Sequence, residues 1–398
     1  MHCKHKMLNA LQIDFDQHNE QVRELWKQYH DEKHKRVPMI LGMNPRMYLM
    51  DSMWNDENIT FNQYMDDPAI MAKVQLDFQY IHRHIMIQDK EMGIPSDGWT
   101  LYADGQNVWD FEWIGAEAHY PPDHEPYIRP IITNENKFEY LKKPLSEPIE
   151  GIGAKILKYY HFFKNMKDSG YTFKGAPIGE ISIPGVWCDG PFTLAFGLMG
   201  EQVIIDMLTD KPFFDALMDK ITTACINRIK FFRKEFGIAD TQQICCMADD
   251  SICLLSTEQY REFVLPYQKR FINELGTNSK TNYMHLCGDA SRHFPIIRDE
   301  LNVYSFDTGF PIDFKKIRQD LGKKVEIAGG VHVELLLNGT PEAVYDETKR
   351  ILLSGIKKGG KFILRDANNL APQTPPKNIQ AMYQANLDFG SISLVELN

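Results

Sequence analysis

Short apolar segments alternate with longer amphipathic segments from residue 37 to the end of the chain. A short apolar run is typical of a buried strand, and apolar positions that recur every three or four residues are typical of a helix packed on a sheet. Strands that alternate with helices indicate a parallel sheet. Because about eight such units occur and no Gly-x-Gly-x-x-Gly follows the first strand, we expect an α/β fold of the closed (β/α)8 TIM-barrel type.

The alternation also predicts the bounds of these elements. The predicted strands cover 37–42, 98–104, 180–187, 242–250, 281–289, 303–308, 324–331 and 360–367. The predicted helices cover 66–92, 154–168, 193–236, 256–275, 291–300, 313–321 and 341–357, and a last helix begins after Pro375 and Pro376. Proline suits the first turn of a helix, where its missing N–H has no intrahelical partner.

The region before the first predicted strand is polar and partly helical. We therefore expect an N-terminal helical extension over residues 1–36 and a single catalytic TIM-barrel domain over residues 37–398. Within the barrel, residues 105–153 are rich in aromatic residues and proline, and this stretch is too long for an ordinary connection. We expect it to be an insertion near a binding face.

The composition narrows the class of protein. The 398 residues carry a formal net charge of -10, which argues against a protein that binds the phosphate backbone of nucleic acids. The chain has no apolar run of about 18 residues, which a membrane-spanning helix needs, and its first residues lack the apolar core of a secretory signal. We therefore expect a cytoplasmic protein that binds neither nucleic acid nor a membrane. Its seven cysteines form no regular framework and are expected to be free thiols.

In a TIM barrel the active site lies at the carboxyl ends of the strands. The polar residues at the predicted strand ends are therefore the candidates for function. They are Asp104, Asp249, Asp250, His285, Cys287, Asp289, Asp307, His332, Asp366 and Asn368.

His285 and Cys287 form the sharpest pattern among these candidates. Side chains two residues apart on a strand point to the same side, so an imidazole and a thiolate at these positions can chelate one ion at the barrel mouth. Nitrogen and sulfur ligands of this kind suit Zn²⁺. The alternative is a strand-end histidine beside a buried cysteine, because two ligands need partners from elsewhere in the chain.

Asp249 and Asp250 end another predicted strand. Because successive residues of a strand point to opposite faces, only one of the two faces the barrel mouth, and we expect it to be Asp250. Asp250 is then a candidate general acid or base, substrate acceptor or metal ligand, and Asp104 is the second candidate catalytic residue. The alternatives are helix capping for Asp250 and turn formation for Asp104.

Five blocks in the second half of the chain carry a resemblance to a known family. They are GPFTLAFGLMG (190–200), DDSICLLSTEQYREFVLPYQKRF (249–271), MHLCGDA (284–290), IAGGV with LLNGTPEAV (327–344), and GGKFIL with LAPQTPPKNI (359–379). In order and spacing these blocks resemble the uroporphyrinogen decarboxylase superfamily. The resemblance implies a single (β/α)8 barrel with the activity of either the porphyrinogen decarboxylases or the corrinoid-linked methyltransferases.

The decarboxylase branch fits the sequence poorly. Its members carry several arginines in a flexible loop near the N-terminus, and the matching stretch 43–51 holds only Arg46. Their strand-end aspartate does match Asp104. The histidine that they carry near the last strand, however, is replaced by Asn368.

The methyltransferase branch fits better. Its members bind zinc through His-x-Cys and a later cysteine, and His285 and Cys287 match the first two ligands. Asn368 stands in the place of the third. The resemblance then implies a third ligand with an oxygen donor, from Asp366, Asp250 or a water.

An oxygen ligand in place of a thiolate makes a zinc ion harder and more Lewis acidic. Such an ion suits a methoxy or similar oxygen of a methyl donor better than it suits activation of a thiol. The resemblance thus implies a methyltransferase of the O-demethylase kind, which moves a methyl group from a small substrate, of the aryl methyl ether or methylamine type, to the cobalt of a corrinoid protein. The implied metal ligands are His285, Cys287 and Asp366. The candidate substrate-binding residues are Arg46, Asn368 and His332, together with Trp113 of the aromatic insertion, for which the alternative is a packed flap.

Two other functions remain open at the level of the sequence. One is a metal-independent decarboxylase or lyase that acts on a small acid on the same barrel. The other is a tetrapyrrole-binding relative without catalysis, in which the missing third cysteine marks an inactive site. The sequence also leaves open whether the chain forms a homodimer.

Overall fold

The computed structural model describes residues 11–122, 124–277 and 280–397. The chain divides into two compact units. The first unit comprises Met1–Leu101, Asn165–Ile181 and Thr308–Asn398, and the second comprises Tyr102–Lys164 and Ser182–Asp307. The single barrel domain over residues 37–398 stays a prediction.

The first unit contains short strands between longer helices. Its helices are Phe15–His30, Arg46–Leu49, Phe61–Asp66, Pro68–Ile85, Phe314–Leu321, Val333–Asn338, Pro341–Leu352, Pro376–Phe389 and Leu394–Leu397. Its strands are Thr172–Phe173, Ala176–Ser182, Glu326–Gly329 and Phe362–Leu364, together with Trp99–Tyr102, which ends at the boundary. Glu326–Gly329 and Phe362–Leu364 pair in parallel, with Ile327 opposite Phe362. Parallel pairing beside helices is what the alternating pattern predicts.

The N-terminal extension packs against its unit. Asp14 caps the helix Phe15–His30 by accepting the N–H of Gln17, and Val22, Leu25 and Tyr29 on one face of this helix are buried. Residues 1–10 of the predicted extension lie outside the described residues.

The helix predicted over 66–92 is shorter than expected. It begins as predicted at an Asp-Pro pair, with Asp67 as its cap, but it ends at Ile85. Four residues later Asp89 is fully buried, where its carboxylate accepts two hydrogen bonds from Arg36 and one from the N–H of Met39. These bonds hold the apolar segment after Arg36 in place. Helical periodicity alone does not predict them, because they join residues far apart in the sequence.

The second unit has the same alternation. Its helices are Trp109–Trp113, Lys137–Lys142, Ile152–Asp168, Pro191–Met199, Gln202–Thr209, Lys211–Glu235, Thr257–Gln259, Leu265–Leu275 and Phe294–Leu301. Short 3-10 helices lie at Gln106–Val108, Asp250–Leu254 and Ser291–His293. A π-helical turn lies at Tyr260–Val264. Its strands are Ala118–His119, Tyr127–Ile128, Cys246–Ala248, Asn282–Leu286 and Val303–Thr308.

Three neighbouring segments of the second unit are in register. Cys246–Ala248 pairs in parallel with Asn282–Leu286, so that Ala248 lies opposite His285. On its other side Ala248 forms a parallel bridge with Asp189. The strand predicted over 180–187 is therefore corrected, because the strand Ala176–Ser182 ends early and only Asp189, beyond the predicted strand, bridges to Ala248.

No single helix in the described part of the chain is both long and apolar enough to cross a membrane. Pro191–Met199 and Gln202–Thr209 reach that composition only as a pair, with a bend of 110° between them.

Candidate metal centre

The alternation of burial along the strand Asn282–Leu286 and the residue after it places His285 and Cys287 on one face of the sheet. Met284 and Leu286 are fully buried, whereas His285 and Cys287 are half-buried. Side chains alternate between the two faces of a strand, so His285 and Cys287 share the more open face, as their spacing predicts. The Nε2 atom of His285 lies 3.0 Å from the Sγ atom of Cys287.

The strand end beside them supplies a carboxylate. Asp249 is fully buried, and its two oxygens accept hydrogen bonds from the N–H of Thr193 and from Gln268 at 2.7 and 2.8 Å. Asp249 thereby caps the helix that starts at Pro191. Asp250 faces the other way and accepts the N–H of Cys287 at 2.7 Å.

Asp250, His285 and Cys287 form the one group within the described ranges that could hold a metal ion with three such side chains. One ligand atom from each lies within 4.8 Å of the others. A set of one nitrogen, one sulfur and one oxygen donor suits Zn²⁺, and three protein ligands leave the fourth position open for a substrate, as in catalytic zinc sites. The residues present therefore fit a zinc ion.

The second nitrogen of His285 has a carboxylate partner. Its Nδ1 atom lies 2.8 Å from Oδ2 of the buried Asp307, and the hydroxyl of Tyr283 donates to the same oxygen at 3.0 Å. Histidines that bind metals usually donate their other N–H to a carboxylate, which fixes the tautomer and orients the ring. Asp307 thus leaves Nε2, which faces Cys287, as the atom that can bind a metal once the ring is neutral.

The protonation of this group follows from its surroundings. Burial by itself lowers the pKa of His285, but the hydrogen bonds to Asp307 and Cys287, with the charges of both, raise it to about 10. Burial raises the pKa of the Cys287 thiol, and the hydrogen bond with His285 offsets this only in part. Without an ion, the cluster therefore holds protons that a metal must displace.

Two glycines make this arrangement possible. Gly190 precedes the helix that Asp249 caps, and a β-carbon there would lie 2.2 Å from the carboxyl carbon of Asp249. Gly288 follows Cys287 with a φ of 70°, a conformation that glycine adopts without strain, and it turns the chain at the strand end.

Two other predicted residues of the second unit have local partners. Asp104 accepts two hydrogen bonds from Gln106, at 2.8 Å from its N–H and 2.6 Å from its side chain, which is the geometry of a turn. Trp113 is buried, its indole N–H donates to the carbonyl of Glu147, and the guanidinium of Arg228 lies 4.5 Å from its ring centre. Roles for both in catalysis or substrate binding stay predictions.

The remaining predicted residues belong to the first unit. Asp366 is fully buried and accepts the N–H of Gly42 at 2.7 Å. Asn368 has a φ of 109°, which is unusual for a residue with a β-carbon. Arg46 begins a short helix, and His332 stacks on Phe310 with 3.9 Å between ring centres. Their assigned roles also stay predictions. The carboxylate that the structure places with His285 and Cys287 is that of Asp250, not that of Asp366.

Sequence reasoning missed the contact of Asp307 with His285 and the position of Asp189 opposite Ala248. Asp307 was a strand-end candidate without a role, because its partner His285 lies on another strand. Asp189 was absent from the candidates, because the predicted strand stopped at residue 187. The Asp-Gly-Pro sequence at 189–191, a polar residue just before a helix start, is the signal that would have found it.

The cysteines agree with the expectation of free thiols. None of the six described cysteines forms a disulfide bond. Cys245 is buried, whereas its neighbour Cys246 is exposed. Adjacent strand residues with opposite exposure cannot both reach one site.

Comparison with known proteins confirms the resemblance and the fold. Residues 22–387 match the family model described as uroporphyrinogen decarboxylase (URO-D). A solved structure described as a methyltransferase from Methanosarcina mazei superimposes with a TM-score of 0.59 at 16% identity, over 92% of this chain and 98% of that chain. The predicted α/β fold of the TIM-barrel type is therefore confirmed.

Curated relatives include both branches of this family. A methylated-thiol–coenzyme M methyltransferase from Methanosarcina mazei is 33% identical over 49% of this chain and 50% of its own length, so the match spans about half of that relative. A methylcobamide:CoM methyltransferase, MtbA, from Methanosarcina acetivorans is 24% identical over 58% of this chain and 70% of its own length. A uroporphyrinogen decarboxylase from Prochlorococcus marinus is 23% identical over 73% of this chain and 78% of its own length.

Proposed function

Because the chain belongs to the uroporphyrinogen decarboxylase family, whose members are enzymes, we propose that it is a corrinoid-dependent methyltransferase. Its substrates are a small methylated donor and the reduced cobalt of a separate corrinoid protein. The observation that carries this proposal is the cluster of Asp250, His285 and Cys287, whose nitrogen, sulfur and oxygen donors lie within reach of one ion. Two methyltransferase relatives and a methyltransferase of the same fold support the choice of branch.

The cluster is proposed to hold zinc through Nε2 of His285, Sγ of Cys287 and a carboxylate oxygen of Asp250. A zinc ion in such a site acts as a Lewis acid that stabilises the heteroatom from which a methyl group departs. Asp307 keeps the proton of His285 on Nδ1, and the N–H of Cys287 orients the Asp250 carboxylate. Asp366, the carboxylate implied by the resemblance, is not needed for this three-ligand set.

The oxygen donor favours demethylation of a substrate over methylation of a thiol. The two methyltransferase relatives are named for coenzyme M or a methylated thiol. In this chain the set of one thiolate, one imidazole and one carboxylate makes a harder ion than a set with two thiolates, and hard ions prefer oxygen and nitrogen partners. We therefore propose a donor with its methyl group on oxygen or nitrogen.

The other roles implied by the resemblance remain part of the proposal. Asp104 is proposed to orient the donor, and the corrinoid is proposed to arrive on a partner protein. The proposed substrate-binding residues are Arg46, Asn368, Trp113 and His332.

The test is methyl transfer to free reduced cobalamin under anaerobic conditions. The zinc-loaded protein is mixed with aryl methyl ethers, quaternary methylammonium compounds and methyl thioethers, one at a time, and loss of the Co(I) absorption is followed. We expect turnover with an ether or an ammonium donor, and a loss of at least ~100-fold in His285→Ala and Cys287→Ser, which each remove a ligand.

Matched controls separate the site from general damage. His161→Ala removes an exposed histidine on the helix Ile152–Asp168, and Cys246→Ser removes the exposed cysteine of a neighbouring strand. Both should retain full activity. Zinc binding without any methyl transfer, or decarboxylation of a porphyrinogen by the same protein, would overturn the proposal.

A further inference from the structure

Asp189 faces the proposed zinc cluster across a single small residue. Asp189, Ala248 and His285 are in register on three neighbouring segments. Paired residues of parallel strands point to the same face, so the three side chains stand in a row. Neighbouring strands lie ~4.8 Å apart, which puts the backbones of Asp189 and His285 roughly 10 Å from each other. Ala248, the residue between them, carries only a methyl side chain.

Burial along the first of these segments supports the same orientation. Cys188 is fully buried, whereas Trp187 and Asp189 on either side of it are not. Asp189 therefore projects from the more open face, which also carries Ala248 of the neighbouring strand; the half-buried Asp250 lies in the turn that follows this strand.

The backbone of Asp189 is hydrogen-bonded to a buried ion pair. Its N–H donates to Oδ2 of Asp110 at 2.9 Å. The other oxygen of Asp110 pairs with the buried Arg228, whose guanidinium lies 4.2 Å from the ring centre of Trp109 and 4.5 Å from that of Trp113. Breaking a buried pair of this kind is costly, because it leaves an uncompensated buried charge.

The carboxyl of Asp189, by contrast, makes no hydrogen bond to any residue that the structure describes. Burial raises its pKa well above the ordinary range. The charges that act on it are those of Asp110, Asp250 and Asp249, which raise the pKa further, and that of Arg228, which lowers it. A metal ion at Asp250 would offset one of these carboxylates, but burial is the largest cause and does not depend on the ion.

We propose that Asp189 contacts the heteroatom of the methyl donor and gives it a proton as the methyl group departs, and that the donor is therefore an oxygen-linked one, a methyl ether. This inference rests on the proposed function and narrows its substrate class. A carboxyl that holds a proton and has no internal partner can donate a hydrogen bond to a ligand.

The chemistry balances as follows. The bond between the methyl carbon and oxygen breaks, and the carbon bonds to the reduced cobalt of the corrinoid partner, which supplies both electrons of the new bond. The electron pair of the broken bond stays on oxygen, which takes the proton of Asp189 and leaves as a phenol or alcohol. Asp189 remains as a carboxylate and regains its proton from solvent. A quaternary ammonium donor releases a neutral amine and needs no proton in this step.

The experiment compares wild type with Asp189→Asn on a series of ring-substituted methyl phenyl ethers, with free reduced cobalamin as acceptor. Asparagine keeps the shape and can donate a hydrogen bond, but it cannot transfer a proton. We expect Asp189→Asn to lose ~10²–10⁴-fold in rate for ethers of weakly acidic phenols and progressively less as the phenol becomes more acidic. A plot of log rate against the pKa of the phenol should therefore be steeper for the variant.

Other measurements separate this role from a structural one. Zinc affinity and the midpoint of thermal unfolding should be the same in Asp189→Asn as in wild type. Asp219→Asn, which removes an exposed carboxylate on the helix Lys211–Glu235, should leave both rate and slope unchanged. An equal loss for every ether, or a loss of zinc binding in Asp189→Asn, would overturn the inference.

The two proposals fail in different ways. If wild type demethylates only ammonium or thioether donors, Asp189 has no oxygen to protonate and this inference falls while methyl transfer stands. If no donor of any class methylates cobalamin, the proposed function falls first.

Discussion

The imidazole of His285 and the carboxylate of Asp307 lie 2.8 Å apart, although 22 positions separate them along the chain. Asp307→Asn removes the charge that holds the proton on Nδ1. We therefore expect zinc affinity, measured by competition with a chelator, to fall ~10–100-fold. Tyr283→Phe removes only a hydroxyl donor to Asp307 and should change the affinity less. Equal zinc affinity in wild type and Asp307→Asn would show that the carboxylate does not orient the ligand.

Metal binding should depend steeply on pH. In the protein without an ion, the pKa of His285 is raised to about 10 and that of Cys287 is also raised, so both hold protons at neutral pH. The ion needs a neutral imidazole and a thiolate, so its affinity falls as the pH falls, by up to ~100-fold per pH unit where two protons are displaced. Proton release on zinc addition in weakly buffered solution measures this directly. Release of no protons at pH 7 would contradict the expected protonation.

Arg228 should be among the residues most important for stability. It is fully buried, paired with Asp110 and enclosed by two tryptophan rings. Arg228→Met leaves the Asp110 charge buried without its partner, and we expect the free energy of unfolding, measured in urea, to fall by about 3–5 kcal/mol. Lys230→Met, on the same helix, breaks a partly exposed pair with Glu274 and should cost under about 1 kcal/mol. Similar losses in the two variants would refute this difference.

Asp249 should make stability depend on pH. Burial raises its pKa to about 6, against the hydrogen bonds from Gln268 and Thr193, which lower it. The folded state then holds a proton that the unfolded state, with a pKa near ~3.9, has lost, so this contribution falls as the pH rises from about 4 to about 6.

The comparison with Asp249→Asn isolates that contribution. The free energy of unfolding of wild type minus that of the variant should fall by roughly 2 kcal/mol between pH 4 and pH 7. Urea titrations at several pH values measure it. Parallel curves for the two proteins would mean that Asp249 stays ionised in the fold.

Local periodicity was enough to predict much of this protein. The alternation of strands and helices predicted the parallel pairing, and the strand over 303–308 has the predicted bounds. The spacing of His285 and Cys287 placed both on one face, because side chains alternate along a strand with a period of two. Asp250 is more exposed than the buried Asp249, as expected, but both residues lie beyond the strand Cys246–Ala248, in the turn that follows it.

Pairing between distant segments was decided only by the tertiary structure. The sequence offered Asp366, Asp250 or water as the third ligand, and strand register brings Asp250 to His285 and Cys287. The partnership of Asp307 with His285 and the position of Asp189 opposite Ala248 also depend on which strands are neighbours. Hydrophobic periodicity defines the face of each strand, but it holds no information about which residue of another strand lies opposite, because that register is set by the packing of the whole sheet.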